Sequence, residues 1–277
     1  MKDLNGRVVI LTGASRGIGR HIARALATHG ARLAIAARDE ARLNEVATEL
    51  KAGGAMVEVI PTDVRDKAQL DHLVAETERR LGPVDILINN AGLERIVRYA
   101  ESDFEAVEAD IDVNVRAVMY LTRLVLPGML ARNRGHIVNM SSLAGLGGYA
   151  HGESYVATKH AVVGFSRALR ATLKGERRRV SVSAVCPGYV SDTGMFARKV
   201  EAHGAQAPAI MGTSTPQRVA RAVLKAIRTD APEVMVSPWP VRPMLAFSIF
   251  FPRIGEWLAR KFGVNTVSMK IVDHESS

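Results

Sequence analysis

Cysteine is nearly absent from this 277-residue chain, where Cys186 stands alone. That excludes an intramolecular disulfide and a multi-cysteine zinc site, and favours a reducing compartment. His136, His151 and His160 lack metal-ligand spacing, so no metal is expected. Aromatic residues make up only 5% of the chain. No basic stripe is interleaved with them, so nucleic-acid binding has no footprint. No apolar run approaches the ~20 residues that span a bilayer; the longest suspicious one, Met244 to Phe251, ends at Pro252. Met1-Lys2-Asp3-Leu4-Asn5 leads straight into Val8-Val9-Ile10-Leu11, with neither a signal-peptide core nor a cleavage site. A cytoplasmic protein is expected, and peripheral contact with a membrane stays compatible with the sequence.

What is present is a globular composition, 47% hydrophobic and 23% charged. The chain is long enough for a full core in one or two domains. Charge is skewed: 37 Lys and Arg against 28 Asp and Glu leave +9. That balance suits an anionic partner such as a phosphorylated cofactor or an acidic membrane surface.

Short β-rich runs at Arg7–Leu11, Arg32–Ala36, Met56–Ile60, Val84–Ile88, His136–Met140, Val180–Val185 and Glu233–Val236 alternate with helical patterns near 18–29, 40–51, 66–81, 104–132, 155–173 and 215–228. Nearly all-apolar strands are buried on both faces, as in parallel sheets. The alternation predicts a Rossmann-like, doubly wound α/β fold of about seven parallel strands with helices on both faces. Asp66 is placed to cap a helix, and Thr215-Pro216 sets a capping hydroxyl before a first-turn proline. Residues 1–237 read as one dinucleotide-binding and catalytic domain, and 238–277 as an apolar, basic C-terminal extension.

The first strand runs into Thr12-Gly13-Ala14-Ser15-Arg16-Gly17-Ile18-Gly19, and a helix follows. Glycine allows the tight turn and close backbone approach, and the helix N-terminus offers free N–H groups to a pyrophosphate. An acidic residue after the second strand would bind a ribose 2′-hydroxyl, whereas arginine would accept a 2′-phosphate. Arg38 stands there and Arg16 lies in the turn, so NADP(H) is favoured over NAD(H). Asp39-Glu40 read more simply as first-turn helix charges.

Ser154-Tyr155-Val156-Ala157-Thr158-Lys159 opens a helix on which Tyr155 and Lys159 share a face. A free phenol ionises near pH 10, and a nearby ammonium is expected to lower that value. So tuned, a phenol is a competent general acid towards a carbonyl oxygen receiving a hydride. Ser142, at the end of the fifth strand, is placed to hold the same oxygen.

With these residues the chain resembles the classical short-chain dehydrogenase/reductase family over residues 4 to about 237. Five motifs fall in family order: Thr12-Gly13-x-x-x-Gly17-Ile18-Gly19, Asn89-Asn90-Ala91-Gly92, Asn114, Ser142 with Tyr155-x-x-x-Lys159, and Pro187-Gly188. The resemblance implies that Tyr155 donates the proton and that Lys159 tunes it and binds the nicotinamide ribose. It further implies that Ser142 orients the carbonyl and Asn114 holds a water of a proton relay. Asp63 and Val64 match the adenine contact. The implied cofactor site thus comprises Gly13, Ser15, Arg16, Gly17, Ile18, Gly19, Arg38, Asp63, Val64, Asn90, Ala91, Gly92, Tyr155, Lys159, Pro187, Gly188, Val190 and Thr193. One departure stands out: the family's carboxamide-binding threonine falls five residues after the proline, where this chain has Asp192. Its role passes to Ser191 or Thr193. Ser141 reads as structural.

In the extension, Trp239, Met244-Leu245-Ala246-Phe247, Ile249-Phe250-Phe251 and Trp257-Leu258 are interspersed with Arg242, Arg253, Arg260 and Lys261. Roofing a substrate pocket or packing between subunits is favoured over lying in a membrane interface. The function expected is hydride transfer between a nicotinamide cofactor and a lipophilic ketone or secondary alcohol. The alternative is a catalytically silent nucleotide-binding module that senses redox state or scaffolds a partner. The family's pairing of helices 104–132 and 155–173 implies a homodimer or homotetramer. Val156, Val163, Phe165, Leu169 and Ala171 independently suggest a second apolar face on the latter helix.

Overall fold

The computed structural model describes residues 3–275. Met1 and Lys2 of the N-terminal reading, and residues 276 and 277 of the extension, lie outside the described residues.

All seven expected strands form, with boundaries within two residues of expectation: β1 (Val8–Thr12), β2 (Arg32–Ala37), β3 (Val57–Pro61), β4 (Ile86–Asn89), β5 (Gly135–Met140), β6 (Val180–Pro187) and β7 (Glu233–Val236). They make one sheet in the order β3-β2-β1-β4-β5-β6-β7, and every neighbouring pair is parallel. The period-2 rule of strands sorts the core. Val9 and Leu11 of β1 pack with Ile22, Leu26 and Val223 on one face. Val8 and Ile10 pack with Leu73, Leu121 and Val125 on the other. Each such buried side chain contributes roughly 1.5–3 kcal/mol of transfer free energy, so sliding β1 by one residue would exchange two complete faces. The strand order reverses between β1 and β4, which opens a crevice at the carboxyl ends of the strands.

The helices are α1 (Gly17–Ala27), α2 (Glu40–Ala52), α3 (Lys67–Leu81), α4 (Phe104–Ile111), α5 (Ala117–Ala131), α6 (Glu153–Gly175), α7 (Gly194–His203), α8 (Pro216–Thr229), α9 (Arg242–Phe250), α10 (Pro252–Lys261) and α11 (Thr266–Glu275). Asp66 caps α3 by accepting the Ala68 amide at 2.9 Å, and Thr215 caps α8 through the Arg218 amide at 3.3 Å. The helix expected over 104–132 is interrupted. A π-helical turn at Asp112–Arg116 separates α4 from α5, and such turns gather at functional sites. Two further differences have physical reasons. Helix α7 buries none of its residues fully, so it leaves no apolar stripe to read. In α9 and α10 the prolines sit in the first turn, where the missing N–H costs nothing. They start helices instead of punctuating a loop.

Val163 turns inward to pack with Leu143, Ala184 and Cys186, which removes it from the second apolar face expected of α6. Among the described residues no helix is long and apolar enough to cross a membrane.

Candidate active site

A cleft of about 1510 Å³ follows the crevice. Its floor is built by side chains that tie the glycine turn to the end of β4. Thr12 Oγ1 accepts the amides of Asn90 (3.0 Å) and Ala91 (3.1 Å). Asn90 Nδ2 donates back to the carbonyls of Thr12 (2.9 Å) and Gly13 (3.1 Å). The glycines are sterically required. Gly13 has φ +66°, and a Cβ there would fall 2.9 Å from Ala91 Cα; a Cβ on Gly19 would fall 2.1 Å from the Gly13 oxygen. Arg16, before the first turn of α1, places no side-chain cap on the helix N-terminus, so the amides remain available to an anion. Ser15, Gly17 and Ile18 line the cleft beside them. The cradle fits a dinucleotide pyrophosphate.

One end of the cleft is strongly basic. Arg16, Arg38, Arg42 and Arg198 all line it. Burial and then the charges of Arg198, Arg42 and Arg38 hold the Arg16 guanidinium below its ordinary value. Asp39, which also lines this end, caps α2 through the Arg42 amide at 3.1 Å and pairs within the cluster with the Arg42 guanidinium at 3.3 Å. Asp63 and Val64 line the cleft at the end of β3, and Arg65 grips the Asp63 carboxylate at 2.6 Å, keeping it below the usual range. Arg42 and Arg198 were not legible as site residues. Arg198 arrives on α7 from the far side of the crevice.

At the other end β5 and α6 bring Ser142, Tyr155 and Lys159 together. Ser142 opens the 3₁₀ turn after β5, its hydroxyl accepting the Ala144 amide and donating to the Pro187 carbonyl at 3.2 Å. Ser141 Oγ donates to the Lys159 carbonyl at 2.9 Å, fastening α6 to the strand end. Lys159 Nζ donates to the Met140 carbonyl at 2.9 Å and lies 5.5 Å from the centre of the Tyr155 ring. Both side chains are buried. The ionisation behaviour differs from expectation. Burial, reinforced by Glu94, pushes the Tyr155 phenol up, and only the Ser142 hydroxyl pulls it down. Burial also brings the Lys159 ammonium down to about 8. Desolvation sets the direction of both, and the ammonium's proton points at a backbone carbonyl.

Asn114 sits in the π-helical turn, where its Oδ1 accepts the Leu93 amide (2.9 Å) and its Nδ2 donates to the Leu93 carbonyl (2.9 Å) and Thr158 Oγ1 (3.0 Å). Its side chain therefore braces the segment after β4 against α6. Gly92 lies in this brace, its Cβ position 3.5 Å from Lys159 Nζ. After β6, Pro187, Gly188 and Val190 line the cleft together with Thr193, whereas Ser191 does not. The extra residue is absorbed at Asp192, in the left-handed conformation with φ +65°, which aspartate tolerates. That turn swings Thr193 back towards Gly17.

The substrate side holds a feature unread in the sequence. Glu94 accepts the Tyr149 hydroxyl at 2.9 Å and pairs with Lys199 of α7 at 2.7 Å, both charged side chains being about one-sixth exposed. Burial raises the Tyr189 phenol to about 12, and its ring packs on Phe196, centroids 4.7 Å apart. Leu245, Leu258 and Val267 of the C-terminal helices also line this end.

Residues 7–204 match the short chain dehydrogenase family. A ketoacyl reductase, HetN of Nostoc sp., is 40% identical over 98% of this chain and 94% of its own. The structure of a single-residue variant of actinorhodin polyketide ketoreductase with NADPH superposes with a TM-score of 0.77 at 33% identity, over 85% of this chain and 97% of the other. A short-chain dehydrogenase/reductase of Burkholderia phymatum in complex with NAD gives 0.80 at 29% identity, over 93% and 96%. The chain belongs to the short-chain dehydrogenase/reductase family. It is accordingly an oxidoreductase of carbonyl and alcohol groups, of a family that works with nicotinamide cofactors.

Proposed function

We propose that this protein is an NADPH-dependent reductase of lipophilic ketones, with β-ketoacyl thioesters the first class to test. One observation carries the reading. The buried Tyr155 phenol stands with Ser142 and Lys159 in a cleft whose opposite end is lined by Arg16, Arg38, Arg42 and Arg198. The arginines suit a ribose 2′-phosphate through charge-assisted hydrogen bonds. The glycine turn would hold the pyrophosphate, Asp63 and Val64 the adenine, and Lys159 with Thr193 and Val190 the nicotinamide end. The bound cofactor supplies a hydride equivalent. Tyr155 gives its Oη proton to the substrate oxygen, Ser142 Oγ holds that oxygen, and the Lys159 cation stabilises the phenolate left behind. A relay water by the Asn114 turn would return the proton.

Residues 1–237 serve as the catalytic and cofactor-binding unit, and 238–277 as a cap over the substrate end. The assembly is a two-fold homo-oligomer formed through α5 and α6. A cytoplasmic setting suits the single buried thiol. The test is NADPH oxidation across β-ketoacyl thioesters, lipophilic ketones and sugars. Turnover confined to sugars would overturn the substrate class. NADPH bound tightly with no turnover on any carbonyl would leave a silent module.

A further inference from the structure

The hairpin of α9 and α10 has two apolar faces. The inner face, with Leu245, Ser248, Leu258 and Ala259, lines the cleft. The helices cross closely at Gly255, where a Cβ would fall 2.9 Å from Ser248 Cβ. The outer face carries Ile249 (71% exposed), Phe250 (78%), Phe251, Ile254 and Trp257, and none of these lines the cleft. A large apolar patch of this kind marks an interaction surface.

Charge identifies its partner. Between positions 242 and 262 stand Arg242, Arg253, Arg260 and Lys261 against the single acid Glu256, so 4 − 1 leaves +3. Arg253 and Lys261 are exposed beside the patch, and Lys261 lies 4.8 Å over the Trp257 ring; Arg242 pairs with Glu233 at 3.4 Å, and Arg260 lines the cleft. A second copy of the hairpin would bring like charges together, which opposes association. An anionic lipid surface satisfies both the apolar face and the cations. Both tryptophans of the chain, Trp239 and Trp257, are exposed here, and indoles favour the headgroup level. At 9 and 10 residues, neither helix spans a bilayer. We propose that the α9–α10 hairpin docks in the plane of an anionic membrane, with Ile249, Phe250, Phe251, Ile254 and Trp257 at the acyl boundary. Met244, Phe247 and Phe262 line the cleft and are exposed as well, so its mouth opens onto the same surface.

The full chain is mixed with phosphatidylcholine vesicles, with and without phosphatidylglycerol, and followed by co-sedimentation and tryptophan emission. Binding to the anionic vesicles should be roughly tenfold or more tighter, shift the emission to the blue, and weaken with salt. Ile249→Glu with Phe250→Glu should lower binding at least about tenfold while NADPH affinity is unchanged, since both side chains point away from the cleft. Arg253→Glu with Lys261→Glu should remove the preference for phosphatidylglycerol. Three results would overturn the proposal: no partition, equal partition onto both vesicles, or an oligomer that Phe250→Glu dissolves.

Discussion

Lys159 Nζ donates to the Met140 carbonyl at 2.9 Å and lies 5.5 Å from the centre of the Tyr155 ring. A buried ammonium tied to one carbonyl is costly, and that cost brings Lys159 from 10.5 to about 8. The difference corresponds to about 3 kcal/mol against the folded state at neutral pH. Its sign follows from proton counting. Between about pH 8 and 10.5 the unfolded chain holds the Lys159 proton and the folded chain does not, so this residue makes stability rise with pH there. Lys159→Met should therefore abolish turnover yet stabilise the protein at pH 7 by about 1–3 kcal/mol, after loss of the Met140 hydrogen bond. The gain should shrink towards pH 10. Urea unfolding of both proteins at the two pH values measures it, and a destabilised variant at pH 7 would refute the argument.

Tyr155→Phe removes one hydroxyl from the same cluster. If the phenol supplies the proton, turnover should fall by about 10²–10⁴-fold, with NADPH affinity within a few-fold of the parent. Steady-state rates and a cofactor titration separate the two effects. Activity above about a tenth of the parent would remove Tyr155 from the role of acid.

The glycine turn and the Tyr155–Lys159 pair were legible because each lies within one turn of chain, where spacing fixes geometry. Strands such as β1 and β4 were legible because burial on both faces leaves apolar runs. Arg198 and Lys199 were hidden for the opposite reason. Their helix buries no residue fully, and only the left-handed turn at Asp192 carries them across the cleft. Glu94 was hidden as well, since a carboxylate one-sixth exposed between Tyr149 and Lys199 looks like any loop acid. For the phenol, spacing reports the nearby charge and is silent on desolvation, which sets its direction.

On the proposed reading, cofactor choice rests on Arg16, Arg38 and Arg198, since Arg42 is already paired with Asp39. Each lost charge-assisted contact to a 2′-phosphate should cost about 1.5–3 kcal/mol, or roughly ten- to hundredfold in NADPH affinity. Arg16→Ala with Arg38→Asp should swing preference to NADH. Arg198→Ala alone should weaken NADPH and leave NADH nearly unchanged. Paired titrations with both cofactors check this. A parent protein that already prefers NADH would end the argument and make Asp39 the next residue to replace.

The proposed two-fold assembly would use a face of α6 that differs from the one its large side chains suggest. Val163 is in the core, and Val156, Phe165 and Leu169 are half-buried. Exposed in one stripe is a run of small residues, Ala157, Ala161, Gly164, Ala168 and Ala171, three or four apart, bordered by exposed His160 and Arg167. Open space stands over Gly164. Small side chains on one helical face let a second helix approach closely, and two-fold closure is the commonest way to cover such a face. A carboxylate placed there would be desolvated between two copies without a partner. Ala168→Glu or Ala171→Glu should therefore dissociate the oligomer and lower its unfolding temperature. The parent's unfolding temperature should in turn rise with protein concentration. Sedimentation velocity across micromolar concentrations reads both forms. If the parent sediments as a monomer throughout that range, the small-residue face is not an interface.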